Sequence, residues 1–409
     1  MRKLLIVFLS FMVTSALLFA QNNDSVFKNP TVVQNYPSDH MMPMDNVIPA
    51  YEAIGELITS ANKTIDIEVF YIDNKPGSKL DNYIIKPLIK QAKSGIHVRI
   101  MVDSKMAKTY PNTITMLSKV PNITVTQNSY YDDVYNGIVH AKIIIVDDKS
   151  FYLGSHNLDW ITFELNHELG VIYENESLAG VMNNVFDFDW EYANYDKKVY
   201  GEMQPPTDNK YEISISPPDI KGMKSDQQQL LDLMNNAKNE ICMQAMQVIG
   251  VDTYSDPIKI WTNFNDAILN AANNRGVKVR IMMSNWEFTR SYLKTSNNYL
   301  QYLISNDKNH NIEIRYSSFP IHNPCVPYSE VDHAKYIIVD GETTWISTAN
   351  LTESYFTSCR NYSFTAKNDK LLGGQMLNIF NTMWDGKYIA VYKEPVTKTV
   401  DNTCSTEEK

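Results

Sequence analysis

The chain has 409 residues, of which 44% are hydrophobic and 21% charged, and its formal net charge is −10 at pH 7. A chain of this length and composition buries a substantial core and is expected to form two domains or one duplicated domain, which excludes a disordered chain and a small disulfide-stabilised protein. The acidic balance disfavours a protein that coats nucleic acid nonspecifically, because such binding needs a broad basic surface. It leaves a local basic pocket open.

The N-terminus has the layout of a secretory signal peptide. A basic start, Met1 to Lys3, precedes an apolar run from Leu4 to Ala20 and then a polar segment. We therefore expect a signal peptide over residues 1–20, with a retained signal anchor as the alternative. Both alternatives predict a protein of the secretory pathway, either secreted or lumenal in a lysosome or endosome, or periplasmic in a bacterium.

The chain that follows predicts helices alternating with short buried strands. Apolar residues at helical spacing, among them Ile54, Leu57 and Ile58, precede the β-branched run TIDIEVFYI that begins at Thr64. Each half is expected to contain a helix, a strand, a helix, two strands, a motif strand, a hairpin and a closing helix. This order favours an α/β fold with a central sheet in each half.

The same sequence pattern occurs twice. GIVHAKIIIVDDKSFYLGSHNLDW begins at Gly137, and SEVDHAKYIIVDGETTWISTANLTESYF begins at Ser329. An interval of 193 residues separates the four matched pairs, which are His140 and His333, Lys142 and Lys335, Asp147 and Asp340, and Asn157 and Asn350. We therefore expect an internal duplication, with two similar α-β-α layered halves over residues 21–199 and 211–409, a linker over 200–210 and one active site shared at their interface.

The repeated motif contains groups that suit a phosphate. Side chains two apart on a strand point the same way, so each motif aims an imidazole and an ammonium at one spot. The predicted catalytic residues are His140, Lys142, Asp147, His333, Lys335 and Asp340. The following hairpin returns hydroxyl and amide groups that are predicted to bind phosphate oxygens, namely Ser155, Asn157, Thr348 and Asn350. The aspartates close each strand at a turn, where a carboxylate bonds backbone or a basic partner.

Competing interpretations of these and other residues are weaker. One His-x-Lys-x-x-x-x-Asp motif arises by chance in about a few per cent of such chains, but two copies in matched register make chance a poor explanation. Among the other histidines, His156 is a minor candidate for substrate contact, and His97, His310 and His322 are less informative. No metal ligand spacing is present, so no metal or other cofactor is predicted. An oxidising compartment permits disulfides of undefined pairing among Cys242, Cys325, Cys359 and Cys404.

The strings YLGSHNLDW with NHELGVIY, and YSEVDHAKYIIVD with ANLTESYF, resemble the phospholipase D superfamily, particularly its eukaryotic and poxviral branch with lysosomal phospholipase D-like proteins. The resemblance implies a metal-independent, two-step mechanism through a covalent phosphohistidine. By position His140 is expected to be the nucleophile and His333 the acid and base, although the reverse assignment stays open. The resemblance also implies that Glu168 orients a histidine, and the second half has Asn361 near the matching place.

Three functions remain open at this point. The first is a phospholipase D that removes headgroups such as choline from phosphatidylcholine and leaves phosphatidate. The alternative is a 5′-exonuclease on single-stranded DNA or RNA, with bases stacked on aromatic residues such as Tyr130, Tyr131, Tyr328 and Phe356. A remote third is a noncatalytic phosphate-binding scaffold. The expected partners are phospholipid or single-stranded nucleic acid, with possible membrane-surface contact and no obligate protein partner.

Overall fold

The computed structural model describes residues 27–37, 47–195, 209–253, 257–286, 293–320, 322, 326 and 328–395. The predicted signal peptide over residues 1–20 and most of the predicted linker lie outside the described residues. No helix in the described part of the chain is long and apolar enough to cross a bilayer.

The first half is built on an eight-stranded mixed sheet, with strands numbered along the chain. Its spatial order is β2 (Ile48–Pro49), β1 (Thr31–Asn35), β10 (Glu168–Glu174), β8 (Ser150–Gly154), β7 (Lys142–Val146), β3 (Thr64–Val69), β5 (His97–Asp103) and β6 (Ile123–Asn128). The strands β3, β5 and β6 are parallel, while β7 and β8 form the antiparallel hairpin that the motif predicts. Two short strands, β4 (Ile72–Asp73) and β9 (Leu158–Asp159), pair beside this sheet.

The second half repeats this arrangement. Its sheet runs in the order β12 (Lys224–Ser225), β11 (Tyr211–Ser216), β20 (Asn361–Ala366), β19 (Thr343–Ser347), β18 (Tyr336–Val339), β13 (Glu240–Ala245), β16 (Lys278–Ser284), β17 (Ile312–Ser317) and β21 (Ile389–Val391). A short hairpin, β14 (Val251–Asp252) and β15 (Lys259–Ile260), stands apart from it. Apart from β21, each strand in this order has a counterpart in the first sheet, which confirms the duplication. The leading strands β1 and β11 are additions to the elements that the sequence pattern predicts.

Helices cover the sheets. Those of the first half are Ala50–Thr59, a π-helical turn Asp81–Ile85 that continues into Lys86–Lys93, and Ser104–Thr109, Pro111–Leu117, Tyr130–Tyr135, Trp160–Leu165 and Glu176–Tyr195. Those of the second half are Asp226–Asn236, Thr262–Arg275, Leu293–Asn306, Glu353–Thr357 and Lys370–Trp384. The closing helix of the first half, Glu176–Tyr195, follows β10. That of the second half, Lys370–Trp384, follows β20, as the sequence predicts.

One continuous apolar core joins the halves. Phe151 and Tyr173 of the first sheet pack against Phe364 of the second, and residues of both closing helices lie in the same cluster. Two further clusters lie within single halves, between each sheet and its outer helices. Because apolar surface from both halves is removed from water in one core, separation of the halves would expose it at a large cost in free energy.

A buried charged cluster lies beside this shared core. Arg360 of the second half is fully buried and binds Asp189 of the first half and Asp219, each at 2.8 Å. Glu68, also fully buried, accepts a hydrogen bond of 2.7 Å from the Tyr362 hydroxyl across the interface. Burial and the nearby charge of Asp189 raise the pKa of Glu68 well above its ordinary value, so Glu68 holds a proton inside the interface.

Replacing Glu68 with Gln is expected to weaken the pH dependence of stability. An unfolded Glu loses its proton near pH 4.5, whereas Glu68 keeps it in the folded protein, so its contribution is full below that pH and is lost as the pH rises. Thermal unfolding between pH 5.5 and pH 8 should therefore show a smaller fall in Tm for Glu68→Gln than for the natural chain. Gln244, which stands opposite the second motif strand as Glu68 stands opposite the first, shows that the position accepts an amide. An unchanged pH dependence would contradict the assignment.

Candidate active site

The two halves meet at the backbone of the motif histidines. The N–H of His140 donates to the carbonyl of Arg360 at 2.9 Å, and the N–H of His333 donates to the carbonyl of His167 at 2.8 Å. Reciprocal bonds run from Arg360 to Ile138 and from His167 to Val331, each at 3.0 Å. His167 and Arg360 are also separated by 193 residues, so the crossing has an approximate two-fold symmetry. It places His140 and His333 on the wall of one cavity.

The side chain of His333 is held by the other half. Its Nδ1 lies 2.8 and 2.9 Å from the two carboxylate oxygens of Glu168, which stands at the start of β10. The Ser155 hydroxyl donates to the same carboxylate, and its oxygen accepts the N–H of Leu169 at 3.0 Å. Because Nδ1 faces a carboxylate, it carries the hydrogen and Nε2 is directed away from Glu168. The carboxylate also favours the charged imidazolium.

The side chain of His140 is held in the corresponding way by an amide. Its Nδ1 lies 3.1 Å from Oδ1 of Asn361, at the start of β20, and the Thr348 hydroxyl donates to that oxygen at 3.0 Å. The amide nitrogen of Asn361 donates to the carbonyls of Tyr355 and Cys359. These two acceptors fix the amide orientation, so Nδ1 of His140 donates to Asn361 and Nε2 keeps its lone pair. The two histidines therefore differ in chemistry despite the symmetry.

The motif lysines lie in the same buried region. Nζ of Lys142 donates to the carbonyl of His140 at 2.8 Å, and Nζ of Lys335 donates to that of His333. Burial, reinforced by Lys335, lowers the pKa of Lys142 well below its usual value, and burial lowers the pKa of Lys335 to about 7. Burial and the nearby lysines also lower the pKa of both histidines. A bound anion would therefore stabilise the charged forms of these four side chains.

A cavity of about 440 Å³ opens onto these groups. Asn157 and Asn350 line it beside the two histidines, and the side-chain Oδ1 of each is buried without a hydrogen-bond partner among the described atoms. The rest of the wall is mostly aromatic or apolar, comprising Phe70, Tyr71, Met106, Tyr110, Ile161, Met246, Trp286, Tyr328, Val331 and Tyr355 among others. Such a wall with a few convergent polar groups is typical of a ligand site.

Four predicted site residues have other positions or partners. Asp147 accepts hydrogen bonds from the backbone N–H groups of Asn62, Lys63 and Thr64, and Asp340 does the same in the second half. These turns lie at the ends of β7 and β18 that are remote from the histidines, so the structure does not bring the two aspartates to the cavity. The hydroxyls of Ser155 and Thr348, predicted to bind phosphate, are engaged instead by Glu168 and Asn361.

The structure also shows where the remaining candidate residues lie. His156 is fully buried between Tyr152 and Asn35, where burial lowers its pKa to about 3, and it does not line the cavity. Of the four aromatic residues predicted to stack bases, Tyr328 lines the cavity, whereas Tyr130, Tyr131 and Phe356 pack elsewhere. The sequence alone predicts no role for Asn361, although the repeat interval of 193 residues matches it to Glu168. Cys242 and Cys359 are buried free thiols, while Cys325 and Cys404 lie outside the described residues.

Metal ligands are not grouped in the described part of the chain, where no cluster of three His, Cys, Asp or Glu side chains is suited to hold an ion. The histidines instead have protein partners on Nδ1.

Comparison with known proteins agrees with this geometry. The family described as "Cardiolipin synthase, PLD-like domain" matches residues 54–190 and 230–384. Phospholipase D Z of Dictyostelium discoideum is 30% identical over 372 residues, covering 83% of this chain and 86% of the relative. The virion nicking-joining enzyme of vaccinia virus (strain Western Reserve) is 29% identical over 360 residues, covering 81% and 82%. The 5'-3' exonuclease PLD3 of Rattus norvegicus is 26% identical over 364 residues, covering 81% and 74%.

The fold is similar to that of phosphatidylserine synthase from Haemophilus influenzae, with a TM-score of 0.62, 13% identity, and coverage of 84% of this chain and 85% of that one. The chain belongs to the phospholipase D superfamily and is a phosphodiesterase. The family resemblance predicted from the sequence is confirmed.

Replacing Asp147 with Asn is expected to impair stability and spare turnover. The substituted NH₂ group faces backbone donors in either amide orientation, so we expect a loss of about 1–3 kcal/mol in the free energy of unfolding. Urea denaturation measures this loss, and kcat on a chromogenic phosphodiester measures turnover. Asp340→Asn is the matched variant in the other half and should behave alike. A fall in kcat of more than about tenfold with unchanged stability would restore a direct role for the aspartate.

Proposed function

We propose that this phosphodiesterase hydrolyses phospholipids, releasing the headgroup and leaving phosphatidate, through a phosphohistidine on His140. The observation that carries the proposal is the pair of unlike histidines on one cavity wall. Because Nδ1 of His140 donates to the amide oxygen of Asn361, Nε2 of His140 keeps the lone pair that a nucleophile needs. The carboxylate of Glu168 favours the protonated form of His333, which a general acid needs.

In the first step Nε2 of His140 attacks phosphorus, and the bond from phosphorus to the headgroup oxygen breaks. His333 donates its proton to that oxygen, and the headgroup leaves as an alcohol. In the second step His333 accepts a proton from water as the water oxygen attacks phosphorus, the bond to His140 breaks, and phosphatidate is released. The site returns to its starting protonation state, so the cycle needs no added cofactor.

The surrounding groups stabilise the negative charge on the phosphate oxygens. Lys142 and Lys335 supply positive charge beside the motif histidines, whose carbonyls their Nζ atoms contact, and Asn157 and Asn350 line the cavity with their amide groups. Burial, together with the lysine charges, lowers the pKa of both histidines in the free site. A bound phosphodiester anion offsets the lysine charges and thereby favours the protonated His333 that the first step requires.

We assign positioning roles to the remaining motif residues. Ser155 orients Glu168 toward His333, and Thr348 orients Asn361 toward His140. Asp147 and Asp340 anchor the remote ends of the motif strands to the neighbouring backbone.

The character of the cavity wall supports a lipid. Among the described lining residues there is no Lys or Arg, whereas proteins that bind single strands follow the phosphate backbone with a basic groove. The net charge of −10 has the same implication. Relatives named as phospholipases D in Dictyostelium agree with this substrate.

Exonuclease activity on single-stranded DNA or RNA is the second candidate, because two aromatic pairs lie on the same wall. The rings of Tyr71 and Tyr110 stack at 4.6 Å, and those of Trp286 and Tyr328 at 4.8 Å, both suitable as platforms for bases. The similarity to an exonuclease of rat supports it as well. A noncatalytic scaffold would not need unlike, oriented histidines.

We further propose that the enzyme acts in the secretory pathway or outside the cell, after removal of residues 1–20. The composition of residues 200–210 supports its role as the linker between halves of residues 21–199 and 211–409.

A paired assay tests the substrate. Purified enzyme should release choline from phosphatidylcholine vesicles in the presence of a chelator, and His140→Ala should lose at least about a thousandfold in rate because it removes the nucleophile. Single-stranded DNA labelled at its 5′ end is the parallel substrate at pH 5 and pH 7.5. DNA trimming without choline release would replace the lipid function by the exonuclease, and inactivity of folded enzyme on both would favour the scaffold.

The histidine roles are separable with a good leaving group. An aryl phosphodiester releases a phenolate that needs no proton, so His333→Ala should still form the covalent intermediate while losing its hydrolysis. His140→Ala should form none. Acid quench and mass spectrometry of peptides containing residue 140 detect the adduct. An adduct on His333 in the His140→Ala variant would reverse the assignment.

A further inference from the structure

A second buried carboxylate accompanies His333. Asp332 is the preceding residue in the chain, and its side chain is completely buried. Its Oδ1 lies 2.8 Å from Nδ1 of His167, and the amide nitrogen of Gln244 donates to both of its carboxylate oxygens. None of these three side chains lines the cavity, so Asp332 is not placed to contact a substrate there.

The pair of His167 and Asp332 belongs to the crossing between the halves. The main chains of these two residues form a bridge, in which His167 donates to the carbonyl of Val331 and accepts from the N–H of His333. His167 comes just before Glu168, and Asp332 comes just before His333. The carboxylate of Asp332 is therefore tied to the backbone that presents both the acid histidine and its partner.

The matching crossing of the other histidine has no carboxylate at this place. Val139 stands 193 residues before Asp332, is fully buried and precedes His140. Arg360 takes the place of His167 and binds two carboxylates of other elements. The duplicated fold therefore does not require an acid before the motif histidine, and the second half buries Asp332 despite the cost of removing a carboxylate from water.

The buried pair retains a negative charge. Nε2 of His167 is buried without a hydrogen-bond partner among the described atoms, so a proton on it would have no acceptor. The ring is therefore neutral, with its hydrogen on Nδ1 toward Asp332. Gln244 supplies an amide donor and no charge. The charge of Asp332 is thus not cancelled by its direct partners.

This charge opposes the effect of the lysines on the acid histidine. Burial and the two motif lysines lower the pKa of His333, and the charge of Asp332 acts in the opposite direction. The charges of Glu168 and Asp332 likewise oppose the lowering of the pKa of Lys335 by burial. The titratable and charged groups around His333 and Asp332 are Glu168, Lys142, Lys335, His140, His156, His167, Tyr36 and Tyr336.

We propose that Asp332 is a positioning residue that favours the protonated form of His333 in the first chemical step. This inference rests on the proposed role of His333 as the acid, and it holds for a lipid or a nucleic acid substrate alike. Glu168 orients the ring of His333, and Asp332 adds a second negative charge near it. The nucleophile His140, by contrast, faces an amide and follows a valine.

The experiment measures the pH dependence of the first step in Asp332→Asn. Single turnovers of a bound phosphodiester with an alkyl leaving group need the proton of His333, so their rate falls as the pH rises through its pKa in the complex. Removal of the charge lowers that pKa. The alkaline limb should therefore move down by about one pH unit, with a rate loss of about tenfold on that limb. The burst of 4-nitrophenolate from the matching aryl phosphodiester needs no proton and should lose far less.

Two further variants separate charge from stability. Asp226→Asn removes another fully buried carboxylate, which accepts hydrogen bonds from three side chains of its own half, and should lower the Tm without moving the alkaline limb. His167→Arg copies Arg360 of the second half and places a permanent cation beside Asp332. It should move the limb downward as Asp332→Asn does, and it provides the test if Asp332→Asn does not fold.

Thermal unfolding identifies the folded variants. An unchanged alkaline limb in folded Asp332→Asn or His167→Arg, or equal losses with the two leaving groups, would overturn this inference and leave His333 as the acid. If the alkyl and 4-nitrophenyl substrates showed the same alkaline limb in the natural enzyme, the acid role of His333 would be overturned, and the inference with it.

Discussion

The site depends on the backbone crossing that ties each motif histidine to the opposite half. His140 and His333 each donate a main-chain hydrogen bond to the residue that comes just before the partner of their own ring, Arg360 before Asn361 and His167 before Glu168. The same crossing carries Glu168 to His333 and Asn361 to His140. Neither half contains a complete reactive group by itself, because the ring of each histidine is oriented by a side chain from across the interface. The duplication thus places the site at the interface. The histidine of each half is correctly oriented only when the other half is folded.

The buried basic groups of this site carry an unfavourable electrostatic free energy. Two lysines and two histidines are buried within one region, and burial lowers the pKa of all four, reinforced by nearby lysine charge for Lys142 and the two histidines. Glu168 offsets part of this field from one side. An unliganded site of this kind is destabilising, and the apolar core shared by the halves supplies the free energy that maintains it. A phosphodiester restores the charge balance on binding.

Much of this arrangement could be predicted from the sequence, because it depends on local spacing. Two residues on one strand face the same way, so the joint placement of His140 with Lys142 followed directly from the motif. The same geometry could have placed Asp147 correctly. Five residues of extended chain beyond Lys142 span roughly 16 Å, which removes its carboxylate from the phosphate.

Other features depend on strand pairing that spacing alone does not reveal. The hydroxyl of Ser155 reaches Glu168 because β8 pairs with β10, with Gly154 opposite Gly170, and no local pattern predicts that register. The strands β1 and β11, each second from the edge of its sheet, are short runs of five and six residues, too brief for alternation alone to identify. The position of Asn361 could be predicted, since it lies 193 residues after Glu168. Its effect on the tautomer of His140 could not, because that effect depends on the hydrogen bonds of its amide nitrogen.

The shared core also restricts how a substrate arrives. The two halves are not lobes around an empty cleft, because Phe151, Tyr173 and Phe364 interlock behind the site. A clamshell motion of the two halves would have to break this packing. Tyr328, which is 48% exposed, lines the cavity where it meets solvent. A cavity of about 440 Å³ holds the end of a molecule or a group that projects from a surface, and it leaves the bulk of a larger substrate outside.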